Sequence, residues 1–81
     1  METNLKRAAV RLNEKELRKA ALDLDLKTNK EIAEAIGVSV YQLRRAMKDP
    51  TELGYTAPGE KMIAGVLAAF GEPFERFFFL K

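Results

Sequence analysis

The sequence contains no cysteine and no histidine in 81 residues. The first absence removes any disulfide framework, and the two together remove Cys/His zinc sites and every nucleophile–histidine arrangement. No catalytic constellation is left, so the chain is not expected to be an enzyme or to need a metal or cofactor. Long apolar runs are also missing. The longest, Met62 to Phe70, falls far short of the roughly 20 residues that span a bilayer. The opening METNLKRAAV has no apolar stretch of the kind found in a signal peptide. A cytoplasmic protein is the expectation. The net charge is only +2, weak support for a nucleic-acid partner, but it is unevenly spread. Residues 1–48 hold 11 Lys/Arg against 7 Asp/Glu, and residues 49–81 hold 3 against 5.

The chain length fits one domain with a small core. Its centre is Thr28 to Lys48, TNKEIAEAIGVSVYQLRRAMK. Thr28 and Glu31 have the spacing of a capping box, and Ile32, Ala33 and Ile36 form an apolar stripe. Gly37 ends that helix, because glycine accepts the left-handed backbone of a sharp turn. Val38 seals the corner, and Ser39 caps a second helix whose dry face is Leu43, Ala46 and Met47. Its other face carries Tyr41, Arg44, Arg45 and Lys48 at i, i+3, i+4 and i+7, with no acidic residue between Ser39 and Lys48. A short helix with a dry back and a basic front suits a DNA major groove.

This stretch resembles the helix-turn-helix of the Cro and phage-repressor (XRE-type) family. Ala33 matches the small residue at which the two helices cross, and Gly37 matches the turn glycine. Ile32, Ile36, Val38 and Leu43 match the apolar positions, with Ala46 in the last apolar slot. The resemblance implies an all-α, compact five-helix repressor-like domain over residues 13–81, with short extended segments at either end. It also implies a phage or bacterial regulator of transcription, a repressor or Cro-like protein, without a separate oligomerisation or self-cleaving domain. Base contacts would come from Val40, Tyr41, Gln42, Arg44 and Arg45. Valine offers only a methyl contact, and the family more often has a polar or basic residue there. Phosphate contacts would come from Thr28, Asn29, Lys30, Ser39 and Lys48. Asn29 stands where the family usually has glutamine.

Before this unit, residues 1–12 read as a basic arm (Lys6, Arg7, Arg11) or a short strand. Asn13 caps a first helix with Leu17, Ala20, Ala21 and Leu24 inward and Lys15, Arg18 and Lys19 in solvent. Asp23 and Asp25 belong to a turn. After it, the loop Asp49–Glu60 contains Pro50, Gly54, Pro58 and Gly59, which forbid a regular helix. Tyr55 and Lys61 are further phosphate candidates, Tyr55 equally a core cover.

Glu60–Phe70 forms a fourth helix with a stripe of Met62, Ile63, Val66, Leu67 and Phe70. Its small face (Ala64, Gly65, Ala68, Ala69) packs on the first helix or on a second copy. Gly71 stops it, and Pro73 starts a short fifth turn. The tail Phe77-Phe78-Phe79-Leu80 either pairs as a strand with residues 8–12 or forms the seam of a homodimer. The expected partners are double-stranded DNA and a second copy. The other class of function left open is a protein-interaction module, an antirepressor or antitoxin that binds another protein.

Overall fold

The computed structural model describes residues 10–80. The order is β1 (Val10–Leu12), α1 (Glu14–Asp23), α2 (Asn29–Ile36), α3 (Val40–Met47), α4 (Glu60–Phe70), α5 (Phe74–Phe77) and β2 (Phe78–Leu80). The chain is therefore mostly helical, closed by one small sheet. The basic residues Lys6 and Arg7 of the expected arm lie outside the described residues.

Local chemistry fixes the helix boundaries. Glu16 N–H donates to Asn13 Oδ1 at 3.2 Å, capping α1. Glu31 N–H donates to Thr28 Oγ1 at 3.1 Å, and Glu31 Oε1 accepts from Thr28 N–H at 3.1 Å and from Lys27 N–H at 2.7 Å. These bonds hold the Glu31 carboxyl below its ordinary pKa, the Lys27 N–H contributing most. Gly37 closes α2 at φ +83°.

The turn from α1 to α2 uses Asp25 at φ +60°, a conformation that aspartate tolerates better than most residues. Leu24, expected inward, is a correction. It is the C-cap of α1 and 51% exposed, because the chain has left the helical path and the stripe ends at Ala21.

The core joins Leu12 of β1, Leu17, Ala20 and Ala21 of α1, Ile32, Ala33 and Ile36 of α2 and Leu43 and Ala46 of α3 to Met62, Val66, Phe77 and Phe78. Of the small face of α4, Gly65 packs on α2 rather than on α1. A Cβ on Gly65 would strike the carbonyl oxygen of Ile36. Ala64 and Ala68 stay exposed.

The aromatic tail is largely internal. Residues 10–12 pair antiparallel with 78–80, Val10 facing Leu80, Arg11 facing Phe79 and Leu12 facing Phe78. Phe77 ends α5 and is fully buried. Phe78 and Leu12 share the inward face of the sheet. Phe77 and Phe78, expected at a seam between copies, are therefore corrected to core residues of a single chain. The Phe77 ring lies 5.4 Å from that of Phe70, and Phe78 stacks at 5.1 Å on Phe74. Only Phe79 and Leu80 remain outside, at 37% and 65% exposure. Arg76 fastens α5 to α1 by bonding Glu16 at 3.3 Å. That contact holds the Glu16 carboxyl below its usual range, with Lys19 adding to the effect.

Among the described residues, no helix is long and apolar enough to cross a membrane.

Candidate nucleic-acid interface

The site is built on α3, which follows α2 after the three-residue turn Gly37-Val38-Ser39. Ser39 Oγ accepts from Gln42 N–H at 3.1 Å, and Gln42 Oε1 accepts from Ser39 N–H at 3.1 Å. This second capping box gives Gln42 a structural task that the sequence reading did not assign. The Ser-x-x-Gln spacing was the available signal. Thr28 and Ser39, expected on phosphates, both have their hydroxyls committed as caps.

Leu43 and Ala46 hold the back of α3 in the core, and Val40 and Met47 are half-buried against it. Val40 is thus packed into the fold along one side. The outward face is polar. Tyr41, Arg44, Arg45, Lys48 and Gly54 together line one shallow depression of about 250 Å³. The four side chains that the i, i+3, i+4, i+7 spacing places on one side do meet in space.

They are not equivalent. Arg45 Nε donates to the carbonyl oxygen of Gly54 at 2.8 Å. Its guanidinium carbon also sits 5.3 Å from the centroid of the Tyr41 ring, within cation–π range. Lys48 Nζ donates to the carbonyl oxygen of Leu53 at 3.1 Å. Thr56 N–H donates to the carbonyl oxygen of Arg45 at 3.2 Å, satisfying one of the carbonyls that a helix end leaves open. So two of the three cations bind the loop that follows α3. Among the described residues, Arg44 is exposed and has no ion pair or hydrogen bond from its side chain.

The loop has its own internal frame. Asp49 Oδ1 accepts from Thr51 Oγ1–H at 2.7 Å and Thr51 N–H at 2.9 Å, and Glu52 Oε1 accepts from Asp49 N–H at 2.9 Å. The Thr51 hydroxyl and then its amide hold the Asp49 carboxyl below its usual range, and nearby Arg11 helps. Tyr55 N–H donates to Glu52 O at 3.2 Å across a turn whose third residue, Gly54, has φ +89°. That positive φ is what a type II turn demands. The Tyr55 hydroxyl is buried and, among the described residues, has no hydrogen-bond partner, so the expected phosphate contact is corrected: its oxygen is turned away from solvent. The side-chain oxygen of Asn29 is likewise buried and unpaired.

Two neighbouring grooves extend the face. Gln42, Arg45, Thr56 and Lys61 meet around a recess of about 270 Å³ between α3, the loop and the start of α4. On the other side, Arg44 and Lys48 share a groove with Asn29 and Arg18. Arg18, read from the sequence as a solvated cation, is oriented by Glu14 at 2.8 Å and by Met47 Sδ at 3.6 Å. Lys30 is exposed in the first turn of α2. Among the described residues no group of three or more acidic side chains gathers as a metal site. Comparisons of the chain with protein-family models, with curated proteins and with solved structures found no match.

Proposed function

We propose that this protein is a sequence-specific double-stranded DNA-binding regulator of the Cro/phage-repressor (XRE-type) helix-turn-helix kind, with α3 as the element that enters the major groove. The observation that carries the reading is the outer face of α3: Tyr41, Arg44, Arg45 and Lys48 line one depression on a helix without an acid, its back buried and its start capped. Arg44, uncommitted and exposed, is the first base reader. Arg45 keeps its two terminal nitrogens for a guanine edge while Nε holds the loop. Lys30, Lys61 and Arg18 flank the face as phosphate contacts. Those contacts supply most of the affinity and make it fall with salt. A second copy joins through the exposed Phe79–Leu80 edge, which would place two reading helices on two half-sites.

The test is selection of bound sequences from a randomised duplex library at moderate salt. A two-fold symmetric motif supports DNA reading by a dimer, and its half-site spacing gives the separation of the two α3 helices. An asymmetric motif supports reading by a monomer. No enrichment by folded protein rejects the proposal.

One observation favours a second reading. Leu53, at the tip of the loop fastened to α3, is 95% exposed. An apolar side chain so displayed, on a loop that Lys48 of the α3 C-cap holds, suits a protein partner, and the chain would then be an interaction module. A stoichiometric co-purifying protein together with no salt-sensitive DNA binding would select this reading.

A further inference from the structure

The Glu52–Tyr55 turn is held in an unusual way. Its apolar tip, Leu53, is in solvent and contributes no packing. The turn is instead held from α3, by Arg45 Nε on the Gly54 carbonyl at 2.8 Å and by Lys48 Nζ on the Leu53 carbonyl at 3.1 Å. Thr56 N–H returns a bond to the Arg45 carbonyl at 3.2 Å, so Arg45 is tied to the loop through both side chain and backbone. A hydrogen bond acts on both partners. The carbonyl that Arg45 steadies also fixes the plane of the guanidinium, because Nε, Cζ and both terminal nitrogens are coplanar. With the Tyr41 ring 5.3 Å away, the group is held from an edge and from a face.

We propose that the Gly54 turn is a positioning element for base reading: its carbonyl fixes the Arg45 guanidinium so that the two terminal nitrogens meet a guanine without a search of rotamers. The inference rests on the DNA-reading proposal and adds that specificity at one base pair is set from outside the reading helix. A bidentate contact depends on orientation more than on charge, so an arginine released from its holder keeps its attraction for DNA and loses its selectivity. Gly54 is suited to this place by its backbone. At φ +89° a side chain is strained, and a Cβ would stand 3.0 Å from Lys48 Nζ.

The experiment compares bound-sequence selections for the wild type, Arg45→Ala and Gly54→Ala, with thermal unfolding of each. Arg45→Ala identifies the base pair that Arg45 reads. Gly54→Ala is expected to lower the preference at that same pair by about tenfold, a typical value for a lost bidentate contact, with total affinity changed far less. The double variant is expected to show no further loss there. A Gly54→Ala motif identical to the wild type overturns the proposal and leaves DNA reading intact. An equal loss of affinity for all sequences overturns it as well, since that is the mark of a structural role. No wild-type motif overturns both. Should Gly54→Ala fail to fold, Asp49→Ala unseats the same loop by removing the acceptor for Thr51, and the same comparison decides.

Discussion

Gly65 of α4 lies directly against the backbone of Ile36 in α2, with no room for even one methyl group between them. The contact sits at the end of α2, one residue before the turn that leads to α3. The placement of α3 therefore depends on how closely α4 approaches.

Gly65→Ala tests this. On an open helix the change would stabilise by about 1 kcal/mol, because alanine is the better helix former. Here the methyl meets backbone, which cannot swing aside, so the expected result is a net destabilisation of about 1–3 kcal/mol. Urea denaturation gives the sign. A gain in stability would mean that α4 does not pack on Ile36.

The tail separates inside from outside. Phe77→Ala empties a fully buried position and should cost about 3–5 kcal/mol. Phe79→Ala removes a ring at 37% exposure and should change monomer stability by less than about 1 kcal/mol. If Phe79 and Leu80 join two copies, the same change shifts sedimentation equilibrium toward monomer.

Three carboxyls, those of Glu16, Glu31 and Asp49, have pKa values below their ordinary ones. The folded state holds each proton more weakly than the unfolded chain does. These groups therefore stabilise the fold fully above the unfolded values, near pH 4, and that contribution disappears as the pH falls through the lower folded values. Unfolding temperature should be flat near neutrality and decline from about pH 4 downward. Glu31→Gln should flatten part of that decline. An unchanged slope would show that the bonds from Lys27 and Thr28 do not persist in solution.

Arg44 and Lys30 should separate specificity from affinity. Arg44→Ala is expected to relax preference at one base pair at a cost of about 1–3 kcal/mol. Lys30→Ala is expected to weaken binding to every duplex and to reduce the salt slope by about one. Binding isotherms on the selected site and on a scrambled site, at several salt concentrations, distinguish the two. A uniform loss with Arg44→Ala would remove it from base reading.

Helix starts were legible because capping is a local code. Asn13, Thr28 and Ser39 cap from three residues away, and each bond is present. Gly37 and Gly71 were legible for the same reason, as both take positive φ. Contacts across long separations were less so. Strand pairing of the tail was one of two open alternatives, since alternation alone does not reveal that Phe78 turns in beside Leu12 while Phe79 turns out. Leu24 continued the helical stripe in sequence although the helix had already ended. At the candidate site, the i, i+3, i+4, i+7 spacing put four side chains on one face, and they share it. Spacing has no access to what lies opposite that face. The loop carbonyls that take up Arg45 and Lys48 depend on how residues 49–56 turn back, which the Pro and Gly positions suggest only as irregularity.

The pairing of β1 with β2 also sets how the molecule bears load. Val10 faces Leu80 and Leu12 faces Phe78, so the chain arrives and departs on the same side of the sheet. Tension applied between its two ends would open the pairs one at a time, starting from Val10 and Leu80, as a zip opens, and would never shear them together. The clasp is mechanically weak for its position. Once it parts, Phe78 loses Leu12 as its cross-strand partner, while the capping bonds and the turn that join α2 to α3 bear none of the first pull.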